Sequence, residues 1–429
     1  MILTSQTIIK TSSEFFDMFD EFCFKAKNLY NTVLYKLRQD YFANNLPVRQ
    51  AGARNNYYDM DKRLKQESSL DYAQMPMAAS AQWTVKSVFQ NWQSFWNALT
   101  AYNDNPKRFS GRPKMPYYLH KTKGRAVINL TNQSVKVKAG VLHFPKSFKG
   151  FSIPLNNGIS TIKHVRIVPK NRHFVVEIIY EIGDVPLKED NLRYLGIDLG
   201  LDNFATVVSN EGSSPVLING KGLKSLNKYW NKRISHLREV ETAMNGYEIS
   251  TKTGKATVSN QTKQQTILTN KRNNQVKDFC HKASKMIVDL ALKRGCNTII
   301  IGKNDGWKQE SNMSKKVNQS FVQIPHAAFI NMLEYKCQKY GLNFVKTEES
   351  YTSKTSWLDN ELPIRHENYL GKRINRGLFR SAPCPSGRRV GKLINADVNG
   401  ALQIVKKVFP NAKGYGIWAC GQPLPVVVV

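Results

Sequence analysis

Residues 194–206 read YLGIDLGLDNFAT, and the fold turns on how they are read. Tyr194–Leu199 is an apolar run broken by one carboxylate, Asp198, as in a strand buried on both faces. A carboxylate there costs free energy unless it binds something. Gly196 and Gly200 are expected to keep that edge open. Residues 204–208 and 215–218 read as two further strands of a meander.

Outward toward the C-terminus, a basic helix is expected over 221–245 and a polar loop over 246–266. A helix over 268–294, a strand at 297–301, a helix over 325–340 and a strand at 342–347 follow. Residues 352–393 read as loop-rich, and a helix over 395–408 ends at Pro410. The tail 411–429 takes no assignment. This order of three strands, helix, strand, helix, strand, helix is that of an RNase H-like α/β domain. Its first, fourth and fifth strands are parallel, and carboxylates gather at their carboxyl ends.

Outward toward the N-terminus, residues 1–10 alternate as a strand. Aromatic and aliphatic residues recur at helical spacing from residue 13, and again over 83–99 with Trp83, Val88, Phe89, Trp92, Phe95 and Trp96. These stripes read as core. Residues 107–116 (KRFSGRPKMP) form a basic extended linker, and 126–183 alternate as strands with a turn at 170–172. The N-terminal strand is expected to join that sheet. The chain is therefore expected to be multidomain α+β.

The chain has 429 residues, with 63 Lys plus Arg against 32 Asp plus Glu, a formal charge of +31. Such an excess opposes compaction unless a polyanion neutralises it, and nucleic acid is the natural polyanion. No run of 18 apolar residues exists, which argues against a membrane partner. The six cysteines are scattered without a CxxC pair, so free thiols and a cytoplasmic, nucleoid-associated setting are expected.

A second anchor is INADVNGALQI at 394–404. Asn395 caps a helix there and Asp397 sits in its first turn. With GIDLGLDNFAT, KGLKSLNKYWNKRISHL at 221–237, FSGRPKMPYY at 109–118 and YTSKTS at 351–356, the chain resembles the TnpB nucleases encoded by insertion sequences. Compact type V CRISPR effectors and the eukaryotic Fanzor proteins are related to them. The resemblance implies a β-barrel wedge domain (1–12 and 107–190) split by a helical recognition domain (13–106). A RuvC nuclease domain (191–429) would follow, carrying a zinc-loop insertion at about 353–393. It also implies a guide noncoding RNA, a double-stranded DNA target, and phosphodiester hydrolysis with two Mg²⁺ ions about 4 Å apart.

This chain departs from the family in two places. The fourth strand normally ends in Glu, and here Gly302 and Lys303 follow it. Ser356 and Asp359 stand where the zinc loop has a Cys pair, and only Cys384 lies near the second pair, so no zinc is expected. For the first departure, either the carboxylate has moved or cleavage is lost. The fifth strand ends in Glu348 and Glu349, and a parallel neighbour lies only about 4.8 Å away. Fanzor proteins are similar in placing a glutamate three residues before the Thr of this segment, which here is Glu349 before Thr352. Adjacent strand residues point to opposite faces, so one of the pair should reach the metals.

The expected metal ligands are Asp198, Glu349 and Asp397, with Glu348 the alternative. Candidate nucleic-acid contacts are Lys221, Lys224, Lys228, Lys232, Arg233, Lys271, Arg272, Lys303, Lys308 and Gln323. Trp307 reads equally as a stacking or a core residue, Asn304 and Asp305 as a turn, and His326 as structural. A nuclease-inactive RNA-guided DNA-binding repressor is the alternative function, and a DDE-like transposase a weaker third. Monomer and dimer both remain open.

Overall fold

The computed structural model describes residues 1–43, 53–156, 159, 161–245, 248–249, 256–257, 262–304, 315–383, 391–412 and 423–428. Two compact units result, Met1–Gly183 and Asp184–Val429.

The first unit contains β1 (Ile2–Lys10), α1 (Phe16–Phe42), α2 (Ala53–Gln66), α3 (Leu70–Ala73) and α4 (Ala78–Asp104). Six strands follow: β2 (Ile128–Thr131), β3 (Lys136–Lys138), β4 (Val141–His143), β5 (Ser152–Pro154), β6 (Thr161–Lys170) and β7 (His173–Glu181). β1 pairs antiparallel with β7 from Ile2↔Glu181 to Lys10↔His173. The N-terminal strand thus joins the sheet across the inserted helices. The helical aromatic stripes form the core: Phe19, Phe22, Leu29, Val33, Val88 and Trp92 are buried. Each such side chain contributes roughly 1.5–3 kcal/mol on burial. Phe19 meets Phe174 of β7 at 6.0 Å.

Among the described residues no barrel closes, contrary to what the family resemblance implied. The sheets are open, one ordered β1-β7-β6-β2 and a separate one β3-β4-β5. Helices α1 and α4 pack against the first of these sheets. Ser80 of α4 donates its hydroxyl to the Asn129 carbonyl of edge strand β2 at 3.0 Å, and the Ala126 amide donates to the Cys23 carbonyl of α1.

The second unit contains β8 (Tyr194–Leu199), β9 (Asn203–Ser209), β10 (Val216–Asn219), α5 (Lys221–Asn245), β11 (Glu248–Ile249), β12 (Ala256–Thr257) and α6 (Lys263–Lys293). Then come β13 (Thr298–Gly302), α7 (Lys315–Val322), α8 (His326–Lys339), β14 (Asn343–Thr347), β15 (Lys372–Asn375), β16 (Leu378–Arg380), β17 (Leu393–Asn395), α9 (Ala396–Val408) and β18 (Leu424–Val426). The main sheet is ordered β14-β13-β8-β9-β10-β18. β13 runs parallel to both β8 and β14, while β8–β9 and β9–β10 are antiparallel. β18, from the unassigned tail, adds a sixth strand parallel to β10.

Alternation sorts the core into two layers. Leu195, Ile197, Ile299 and Ile301 pack with Ala283, Ile287 and Phe329 of α6 and α8. Tyr194, Val208 and Ile300 pack with Val398, Ala401 and Val405 of α9. Side chains alternate along a strand, so Asp198 shares the face of Tyr194 and Gly196, toward α9.

Candidate active site

Two glycines bring α9 down onto that face. A Cβ on Gly196 would lie 2.4 Å from the Val405 side chain, and one on Gly400 would lie 2.9 Å from Asp198 Oδ2. Gly196 therefore does not hold an edge open as expected: α9 fills that space. Gly200 serves a tight turn, where a Cβ would meet the Asn203 carbonyl oxygen at 2.5 Å.

Asp397 sits in the first turn of α9. The Asn395 side chain accepts from the Asp397 and Val398 amides at 3.0 and 3.2 Å, capping the helix. Asn203, which opens β9, donates to Asp397 Oδ2 at 2.8 Å. Arg373 of β15 approaches Asp397 Oδ1 at 3.5 Å.

Glu349 arrives from the far side. Gly302 of β13 pairs with Thr347 of β14, and Glu349 lies two residues beyond. Its amide donates to Asn304 Oδ1 at 2.9 Å, and Asn304 Nδ2 reaches back to Oε2 at 3.4 Å. Glu349 Oε1 is buried with no partner. A Cβ on Gly302 would meet that Oε1 at 2.5 Å. The carboxylate therefore fills the space that a side chain at 302 would take. Glu348 points elsewhere: its side chain is 58% exposed and pairs with Lys407 at 3.2 Å.

The electrostatics follow from this crowding. Burial pushes the Asp198 carboxyl well above the usual range, and the Glu349 and Asp397 charges push it further, against partial relief from Arg373. Burial raises Glu349 to about 7, opposed by Lys407. Buried carboxyls that repel one another favour protons or cations. Three carboxylates offering oxygen atoms suit a hard divalent cation. The described residues do not, however, present a preformed ligand cluster of three or more His, Cys, Asp or Glu. Asp397 is instead held by Asn203 and Arg373.

The basic candidates separate. Lys221, Lys224 and Lys228 line a groove of about 660 Å³ with Asp202, Gln319, Ser320 and Arg376. Asp202 binds Lys224 at 2.5 Å and Arg376 at 3.4 Å. Lys232 and Arg233 line a second concavity. Lys271 is exposed, Lys303 half-buried. Arg272 is engaged internally, donating to Asn227 Oδ1 and the Gln323 carbonyl, both at 2.8 Å. The Gln323 side chain exchanges hydrogen bonds with Asn231 at 3.1 and 2.7 Å. His326 is buried at the start of α8, its ring near Phe204 and Phe321. Lys308, Trp307, Asp305 and Cys384 lie outside the described residues.

Sequence reasoning missed Asn203, Asn304 and Arg373. Asn203 lies inside the quoted motif and was open to notice. Asn304 reads as a turn residue, and Arg373 has no local signal.

The strand order, with acidic residues at the strand ends, is the one expected of an RNase H-like α/β unit. Residues 177–308 match the family model OrfB_IS605, described as a probable transposase. Residues 326–404 match the Cas12f1-like TNB domain. The chain is similar to the protein in a cryo-EM structure of a Cas12f1–sgRNA–target DNA complex, with 16% identity, 91% of this chain and 82% of that one covered, and a TM-score of 0.52. It is also similar to the mini-RNA-guided endonuclease CRISPR-Cas_phi3, with 10% identity, 99% and 93% covered, and a TM-score of 0.46. Comparison with curated proteins gives no match. The chain thus resembles the TnpB group of transposon proteins and the compact type V effectors.

Proposed function

We propose that this protein is an RNA-guided DNA endonuclease of the transposon-associated or type V kind, with a RuvC-type site whose fourth-strand glutamate has moved to Glu349. One observation carries the reading: Glu349 Oε1 is buried, unpartnered, and lies in the space left by Gly302. The same reading assigns a wedge domain to 1–12 and 107–190, a recognition domain to 13–106 and the nuclease domain to 191–429.

Asp198, Glu349 and Asp397 would hold divalent cations such as Mg²⁺. When bound, these supply charge neutralisation at the scissile phosphate and a more acidic attacking water. The chain's own residues do the rest. Asn304 turns Glu349 inward, and Asn203 orients Asp397. Arg373 brings a guanidinium to the site edge, suited to a phosphate oxygen. Lys221, Lys228 and Arg376 line a groove that begins at Leu201 and Asp202, just past Asp198, and would hold the strand's phosphates. Guide pairing would select the sequence.

A second reading, RNA-guided binding without cleavage, draws on the Asp397–Arg373 pair and on the lack of a converged cluster among the described residues. The deciding experiment is Mg²⁺-dependent cleavage of a plasmid library by protein purified with its co-expressed RNA, with Asp198→Asn as control. Cleavage lost in the variant supports the nuclease. RNA-dependent binding without cleavage supports the second reading.

A further inference from the structure

The family resemblance implies a structural zinc in the segment before α9, and the residues do not fit one. A structural zinc site takes four thiolate or imidazole ligands. Positions 356 and 359 are Ser and Asp, and residues 338–383 contain no cysteine. The segment is nonetheless tightly organised. Thr355, Ser356 and Glu361 are buried, as are Asn399, Gln403 and Lys406 of α9. These last three are spaced by four and three, so they form one polar stripe along the helix.

Glu361 is the hub. Its Oε2 accepts from the Ser356 amide at 2.8 Å, and its Oε1 from the Leu370 amide at 3.2 Å. Its own amide donates back to the Ser356 carbonyl at 3.0 Å. Its carbonyl accepts from Gln403 Nε2 at 3.1 Å. Asn399 clamps the start of the segment, donating to the Thr355 carbonyl at 2.8 Å and accepting from the Trp357 amide at 2.9 Å. Lys406 reaches Asn360 Oδ1. Leu370 lies two residues before β15, which carries Arg373. Between them, Gly371 passes so close to Phe379 and Ser356 that a Cβ would lie 2.4 and 2.8 Å from their side chains.

We propose that Glu361 is a metal-free cross-link that replaces the zinc of this segment and positions Arg373 over Asp397. The Glu361 carboxylate ties two backbone points, and the backbone carbonyl of the same residue ties α9, as four metal bonds would elsewhere. Hydrogen bonds to a charged group are worth roughly 1.5–3 kcal/mol each, so two suffice to hold a short segment.

The role of Arg373 in cleavage rests on the nuclease reading; the cross-link does not. The test is metal analysis plus native-state hydrogen exchange on the full chain, for wild type, Glu361→Gln and Glu361→Ala, with and without a zinc-specific chelator. The expected result is no stoichiometric zinc and chelator-independent protection at Ser356 and Leu370. Glu361→Gln should speed exchange there and across β15 by about tenfold, the equivalent of one lost bond, while β8 stays protected. In the cleavage assay it should lower turnover about tenfold at unchanged target affinity, and Arg373→Ala should add little to that loss. One zinc per chain, chelator-induced exposure, or wild-type exchange in Glu361→Gln would overturn the cross-link. Equal loosening of β8 and β15 would reduce Glu361 to general stability and overturn its positioning role. Absence of cleavage in wild type, with the exchange pattern intact, would sink the nuclease reading and the role of Arg373 but leave the cross-link standing.

Discussion

Glu349, half-buried with one buried oxygen, and Glu361, fully buried, lie in the same unit, and their surroundings are opposite. Glu361 accepts two backbone amides. Glu349 keeps one oxygen without any donor, close enough to Asp198 for the two charges to repel. The supply of donors separates them, because a satisfied buried carboxylate stabilises its fold and an unsatisfied one favours taking up a proton or a cation.

The largest test of that contrast is removal of the unsatisfied charges. Asp198→Asn and Glu349→Gln should each lower Mg²⁺-dependent cleavage on the order of 10³-fold, about 4 kcal/mol of barrier, while Glu348→Gln stays within about twofold. Activity lost with Glu348 and kept without Glu349 would reverse the assignment.

Lys336 offers a third kind of buried charge. It donates to the His281 carbonyl and Ser284 Oγ at 2.6 and 2.7 Å, and burial lowers it from 10.5 to about 8. The folded lysine thus sheds its proton before the unfolded one. Stability should rise between about pH 8 and 10.5, by ~3 kcal/mol if the whole shift is expressed. Denaturant melts of Lys336→Met should lack that rise; a parallel rise in the variant would assign it to other groups.

Gly302→Ala sharpens the comparison from the other side. Its methyl would collide with Glu349 Oε1 and with Ile404 Cδ1 at 2.7 Å. A loss of about 1–3 kcal/mol is expected from overpacking, together with weaker cleavage. Unchanged melting and cleavage would mean that Glu349 does not occupy that gap.

The smallest effect is on heat stability. Saturating Mg²⁺ should raise the melting temperature of wild type by a few degrees through linkage, and should not do so in Asp198→Asn. An equal rise in both proteins would place the binding elsewhere.

Much of the second unit was legible in the sequence. The bounds of β8 and α5 agree with the stretches read as strand and helix, because an apolar run and a basic amphipathic repeat are local signals. Asp198 and Asp397 stood out for the same reason, each interrupting or opening an apolar pattern. The tail strand β18 was not legible, since three residues, Leu424–Val426, become a strand only by pairing with β10. The barrel, which the family resemblance implied, does not close among the described residues, and alternation specifies strands but not what covers their edges.

The sequence by itself determined most of the long elements, the basic charge and the acidic candidates. Only the tertiary structure shows Glu348 exposed and a Glu349 oxygen buried, where the sequence offered Glu349 first and Glu348, of identical chemistry, as the alternative. The choice depends on strand register and on the gap at Gly302, which belong to the packed sheet. It likewise decided that Arg373 meets Asp397 and that Glu361 ties its segment to α9. Both contacts join residues distant in sequence, and no local periodicity encodes a long-range approach.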